Sequence, residues 1–333
     1  MVLSNHRSPG MMTQIMMETS NQNLTATLVQ VAHMYYERNL SQQEIAETMG
    51  VSRSLIALYL KKARELGIVR IEVFNPQNSC DELADQIKKK AGLKQVVVVP
   101  GSHNSAALTR RAIAAALARH LEATLKDGDC LGVGYGRTMA ELADQLVPGR
   151  SRSVDVVALV GETADTLAGT YSQVNQQVQK IAGVFNGKPH YLLAPMITGS
   201  AQTCQLLMND PTILPVVTLW NRLTHIVTSI GTLPPITGEN IYIDEETMQQ
   251  FIKVGGAGDV YAHYFDQNGQ FLDHPIYQRM MAVSANQIKK AEHVLLAAGG
   301  SQKATATASL LRGGVITDLF VDEDLARAIL DEK

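Results

Sequence analysis

"LSQQEIAETMGVSRSLIALYLKKARELGIVRIEV" occupies residues 40–73, and how it folds decides the N-terminal part of the chain. Ser41 and Glu44 stand in the S-x-x-E spacing of a capping box, where each side chain satisfies the other residue's backbone N–H. The spacing predicts a short helix over Gln42–Met49, stopped at Gly50. Ser52 then caps a second helix that runs to Leu66 and ends at Gly67. On a helical wheel Leu55, Ile56, Tyr59, Leu60 and Ala63 share one face. The opposite face carries Ser54 and Lys61, flanked by Ala57, Leu58 and Arg64. Four basic residues and no acid lie between Ser52 and Arg64. A buried face behind a small, polar, basic one is what a DNA major groove accepts. Gly50–Ser52 supplies the tight turn of a helix-turn-helix. Gln42, Ser52, Arg53, Ser54, Ala57, Lys61, Lys62 and Arg64 are therefore the candidate DNA-contacting residues. The alternative is a solvated helix face with a few lysines.

Upstream, Leu24, Leu28, Val31, Ala32, Tyr35 and Tyr36 recur at helical spacing, which predicts a helix from 24 to 38. Residues 1–23 are polar and Met-rich, without helical or strand period, and read as a disordered tail. Downstream, "IVRIEVF" (68–74) alternates and reads as a strand. "NPQNS" (75–79) breaks the pattern. These boundaries give a tail (1–23), a helix-turn-helix domain (24–75), a linker helix (76–93) and a second domain (94–333).

The whole chain has 333 residues, 45% of them hydrophobic, and a net charge of −3. Such a chain holds more than one domain and is no general polyanion binder, so any nucleic-acid site must be local. No apolar run approaches the roughly 18 residues of a membrane span, and no apolar signal core opens the chain. Cys80, Cys130 and Cys204 have neither metal nor disulfide spacing, which suits a cytoplasmic location. No metal or cofactor is expected.

From "QVVVVP" onward, continuous apolar strands alternate with amphipathic helices: "CLGVGYG", "VDVVALVG", "PHYLLAP", "AEHVLLAAGG" and "VITDLFV" read as strands. This is the pattern of a doubly wound, Rossmann-like α/β domain, a parallel sheet covered on both faces. Two strand–helix turns are Gly-rich. "GVGYGRTMAEL" places Gly134, Gly136, Arg137 and Thr138 where backbone N–H groups and a helix N-terminus favour an anion. "AAGGSQKATATASLL" repeats the design with Gly299, Gly300 and Lys303. Either could instead be a tight turn with no ligand.

The stretch "MYYERNLSQQEIAETMGVSRSLIALYLKKARELGIVRIEV" resembles the DNA-binding region of the SorC family of bacterial transcription regulators. The family pattern is met by Tyr35 and Tyr36, by Ser41, Gln42, Ile45 and Ala46, and by Gly50, Val51, Ser52 and Arg53. Leu60, Ala63, Arg64, Gly67, Ile68 and Val69 complete it. The resemblance continues through the second domain, over roughly residues 28 to 331. It implies a winged-helix-like head on operator DNA, an effector domain for a phosphorylated sugar or polyol, and a dimer or tetramer acting as repressor or activator. In the family the two Gly-rich turns correspond to those that grip the effector's phosphate. The first often reads G-x-S-W-G-x-T there, and this chain departs from it at Gly134 and Tyr135.

"VGGAGDVYAHYFDQNGQ" resembles a second family segment, G-D-x-x-x-x-F-F-D-x-x-G. Asp259 is its candidate for binding sugar hydroxyls, since a carboxylate accepts from a vicinal diol. Asp266, Asn268 and Gly269 are expected to form a turn. His263 and Tyr264 are expected to pack, and Ala194 and Pro195 to line the pocket wall. Gln173 and Asn175 read as a solvated face or as polar pocket residues. The rival function is a sugar-phosphate isomerase- or deaminase-like enzyme carrying a DNA-binding head. Such an enzyme needs a placed general base, and no paired carboxylate or His–Asp arrangement beyond Asp259 is evident in the sequence.

Overall fold

The computed structural model describes residues 24–69, 80–101, 105–149, 151–162, 173–236 and 242–332. The chain separates into two compact units, 1–75 and 76–333. The proposed tail (1–23) and most of the expected strand (68–74) lie outside the described residues.

In the first unit, helix α1 covers residues 24–37, its last turn widened to a π-type turn over His33–Glu37. Helices α2 (Gln42–Met49) and α3 (Arg53–Glu65) follow. The capping box is present: Ser41 Oγ accepts from the Glu44 amide at 3.3 Å, and Glu44 accepts from the Ser41 amide at 2.8 Å. Gly50 ends α2 at φ 66°, a left-handed conformation that L side chains resist. Ser52 Oγ accepts from the Leu55 amide at 3.2 Å to start α3. Val31, Met34, Ile45, Ala46, Ile56 and Leu60 form the core, and Leu28, Ala32 and Ala63 pack together beside it. The helical periodicity read from sequence is what closes this three-helix cluster.

The second unit opens with α4 (Cys80–Ala91) and β1 (Gln95–Val99), followed by α5 (Ala106–Thr124), β2 (Cys130–Val133) and α6 (Arg137–Gln145). Next come β3 (Asp155–Ala158), α7 (Val174–Phe185), β4 (Lys188–His190), α8 (Ala201–Met208), α9 (Leu214–Leu219) and β5 (His225–Thr228). The chain continues through β6 (Gly231–Thr232), α10 (Glu245–Lys253), β7 (Gly256–Val260), β8 (His263–Asp266) and α11 (Ala285–Ile288). It ends with β9 (His293–Ala298), α12 (Ala304–Arg312), β10 (Asp318–Asp322) and α13 (Glu323–Asp331).

Among the described residues, seven strands make one parallel sheet in the order β1-β10-β9-β5-β2-β3-β4. From β2 the chain moves toward β3 and β4; from β5 it moves toward β9 and β10. The crevice between β2 and β5 is thus a topological switch point, where open α/β sheets bind ligands at the strands' carboxyl ends. The apolar residues of β2, β3, β9 and β10 are buried, as a sheet covered on both faces requires.

Three features differ from the sequence reading. Helix α4, expected to link the domains, packs Leu83 and Ile87 into the core of the second unit. Its Lys90 Nζ reaches the carbonyls of Leu330 and Glu332, each at 3.0 Å, at the end of α13. Of "PHYLLAP" (189–195) only Pro189 and His190 belong to a strand, the end of β4. A small antiparallel sheet, β6-β7-β8, was not anticipated. Its strands are short, and β6 and β7 carry glycine, which leaves little alternation to read. The three cysteines are buried and unpaired, and burial pushes the Cys130 thiol up to about 12.

Candidate functional site

On α3, Ile56, Leu60 and Ala63 are buried, whereas Ser52, Arg53, Ser54, Ala57, Lys61, Lys62 and Arg64 are exposed. The wheel's two faces are therefore real. Leu55 and Tyr59 are half-buried at its edges, and Leu58 is 49% exposed on the outward side. Gln42, at the start of α2, is half-buried. Lys61 makes one surface ion pair, with Glu65 at 3.7 Å, which is worth little and yields readily to a phosphate.

A cleft of about 550 Å³ lies at the carboxyl ends of β2, β5, β9 and β10 in the second unit. Seven of the eight candidate effector residues line it: Gly136, Arg137, Thr138, Asp259, Gly299, Gly300 and Lys303. Gly134 does not. It is buried, and its amide donates to the Val227 carbonyl at 3.0 Å, so it extends the β2–β5 ladder and leaves no donor for a ligand.

The first Gly-rich turn ends at Gly136 (φ 117°), where no side chain caps α6. Arg137 and Thr138 thus enter the helix beside the cleft, at the positive end of its dipole. At the second turn Gly300 has φ 92°, and no side chain caps the start of α12. The Gly300 amide, however, already donates to the buried Asp322 at 2.9 Å. Burial pushes the Asp322 carboxyl up, against the pull of the Gly300 amide. Lys303 Nζ donates to the Ile230 carbonyl, which fixes the ammonium at the cleft wall.

Asp259 is 8% exposed. Its Oδ2 accepts from two tyrosines, Tyr135 at 3.0 Å and Tyr242 at 2.9 Å. The two rings meet edge to face with centroids 5.6 Å apart. Burial, reinforced by the Asp259 charge, pushes both phenols well above their usual range, so both stay neutral donors. A Cβ on Gly231 would lie 2.1 Å from Asp259 Oδ1, so only glycine fits there. Asp259 is thus committed to protein partners on one oxygen, more than the sequence reading of a diol acceptor implied.

Other expected residues lie elsewhere. Ala194 and Pro195 are not in the cleft wall; the Ala194 carbonyl accepts from Glu162 and Pro195 pairs with it. Asn175 bonds both backbone groups of Leu192 that face it, at 3.0 and 2.9 Å, and so is a brace for the chain after β4. Asp266 Oδ1 accepts from the Asn268 and Gln270 amides, and Gly269 has φ 71°, the expected turn. His263 bonds the Val283 carbonyl at 2.7 Å. Tyr264 lines the cleft. The residues sequence reasoning missed include Arg110, Tyr135, Thr228, Tyr261, Asp322 and Asp324, all in the cleft wall. The only signal for Tyr135 was the departure from the family's turn at that position.

A family model described as "Putative sugar-binding domain" matches residues 75–331. A full-length structure, the sorbitol operon regulator SorC from Klebsiella pneumoniae, superposes with a TM-score of 0.77 at 25% identity, over 92% of this chain and 98% of that one. The chain belongs to the SorC family of sugar-binding transcriptional regulators. Among its relatives is the deoxyribonucleoside regulator of Bacillus subtilis, 28% identical over 91% of this chain and 97% of that protein. The transcriptional regulator LsrR of an Enterobacter species is 26% identical over 91% and 92%. These SorC-family relatives are named as regulators, and the chain is a transcriptional regulator, not an isomerase or deaminase. No helix among the described residues is long and apolar enough to cross a membrane.

Proposed function

We propose that this SorC-family chain regulates a carbohydrate or polyol catabolic operon in the cytoplasm. It binds operator DNA through the outward face of α3 and a phosphorylated sugar or polyol in the second unit's cleft. The observation that carries the effector half is the cleft itself. It sits at the switch point, and the uncapped N-terminus of α6 enters it beside Arg137, with Lys303 held on another wall. A helix N-terminus with a guanidinium favours a phosphate, because both its donors and its dipole are oriented toward negative charge. Asp322 and Asp324 at the β10–α13 corner oppose a second anion there, so the phosphate belongs at the α6 end. The reading of DNA rests on the exposed basic residues of α3 and on the relatives' names. A single recognition helix binds weakly, so a homo-oligomer, dimer or tetramer, reading paired half-sites is part of the proposal.

Thermal unfolding of the full chain tests the effector half. A ligand that binds only the native state stabilises it by RT ln(1 + [L]/Kd). Fructose 6-phosphate, glucitol 6-phosphate, ribose 5-phosphate and deoxyribose 5-phosphate are compared with their unphosphorylated forms. At least one phosphorylated member raises Tm while its free sugar does not. Equal stabilisation by the free sugar would remove the phosphate from the recognition.

A further inference from the structure

The two Gly-rich turns share a design but not an occupancy. At the first, no side chain caps α6, and the helix start opens on the cleft. The second already carries an acceptor from the chain itself: Asp322 Oδ1 accepts from the Gly300 amide at 2.9 Å. A carboxylate oxygen on a backbone N–H at a helix start makes the contact that a phosphate oxygen would make there. Asp322 is 2% exposed and ends β10, so the sheet fixes the carboxyl group in place.

The surroundings close the second turn further. A Cβ at Gly299 would meet Ile113 Cδ1 at 2.8 Å and lie 3.6 Å from Asp322 Oδ1, and a Cβ at Gly300 would meet the Gln302 amide at 2.5 Å. Asp324, half-buried in the same wall, adds another carboxyl group. The charges point the same way. Arg110, Arg137 and Lys303 are matched in number in the cleft wall by the carboxyl groups of Asp259, Asp322 and Asp324. A phosphate monoester brings roughly two negative charges at pH 7, so one phosphate already leaves the cleft negative. A second at this turn would stand against two carboxyl groups, one of them buried, where salt screens repulsion poorly.

We propose that the effector is a monophosphate, and that Asp322 and Asp324 exclude bisphosphates by filling and flanking the turn where a second phosphate would otherwise bind. This rests on the reading of the cleft as a sugar-phosphate site and narrows the class of ligand that the site takes. Specificity is a difference of affinities, and a charge set against the wrong ligand supplies it without tightening the right one.

Calorimetric titrations of the full chain test this. Each of the four sugar phosphates above is compared with its bisphosphate: fructose 1,6-bisphosphate, glucitol 1,6-bisphosphate, ribose 1,5-bisphosphate and deoxyribose 1,5-bisphosphate. The quantity read is the ratio of bisphosphate Kd to monophosphate Kd, for the sugar whose monophosphate wild type binds tightest. Wild type gives a ratio of about ten or more, as like charges brought together in a binding site require. Asp324→Asn leaves the Gly300 bond in place and lowers the ratio about threefold or more. Asp322→Asn keeps the size and an acceptor oxygen while removing the charge, and lowers the ratio likewise. A wild-type ratio near one or below overturns the inference and leaves the sugar-phosphate reading intact. A large ratio that neither variant changes assigns the exclusion to shape and overturns it too. Should Asp322→Asn fail to fold, the Asp324→Asn ratio decides. If neither class of ligand binds wild type, the reading of the cleft falls and the inference with it.

Discussion

The α3 face and the cleft are built in opposite ways. The α3 residues come from one continuous helix, are held by caps three residues away, and point outward from a small core. The cleft is assembled from the ends of β2, β5, β9 and β10 together with β6 and β7, and its central hydrogen bond, Tyr135 to Asp259, joins residues 124 positions apart. An exposed contact can be removed without disturbing what supports it. A cleft contact is also part of the packing. Mutations in the two regions therefore report different quantities: binding alone in the helix, binding and stability together in the cleft.

The largest effect is expected at Asp259→Ala. The change strands the hydroxyls of Tyr135 and Tyr242 inside the cleft, and an unsatisfied buried donor costs about 1–3 kcal/mol. Urea unfolding should show a loss of about 2 kcal/mol or more. A loss below about 0.5 kcal/mol, the range of ordinary surface changes, would show that water replaces the carboxylate freely and that the cleft is not woven into the fold.

Arg53→Ala sharpens the contrast from the other side. Arg53 begins α3 and is exposed. Its removal should leave unfolding within about 0.5 kcal/mol of wild type while weakening DNA binding by about 1–3 kcal/mol, the worth of one good base contact. Unchanged affinity for both cognate and scrambled DNA takes Arg53 out of the interface.

The same contrast explains what was legible in the sequence. Caps, turns and helical faces are local, so Ser41, Glu44, Gly50 and Ser52 could be read directly, and the structure forms each of them. The parallel sheet was legible because its strands are continuous apolar runs. Both Gly-rich turns could be found, but not their difference: only in three dimensions does Asp322 occupy the Gly300 amide, and only there does the sheet use that of Gly134. Strand β5, His225–Thr228, went unread because it is four residues long and carries His and Thr at its ends. The two tyrosines on Asp259 come from the β2–α6 turn and the approach to α10. No spacing rule links positions 135, 242 and 259, so their convergence is a property of the topology alone.

The central claim is that the cleft controls the DNA-reading helix through the effector. The direct measurement is a DNA-binding titration on DNA from the chain's own promoter region, at rising concentration of the sugar phosphate that stabilises the protein. Wild type is compared with Arg137→Ala and Lys303→Ala. The account predicts that the effector changes wild-type DNA affinity, and that both variants bind effector-free DNA as wild type does. Each variant should need about tenfold or more effector for half the effect, the worth of one charge-assisted contact. An unmoved half-effect concentration in both variants, or an effector that stabilises the protein yet leaves DNA affinity unchanged, would contradict it.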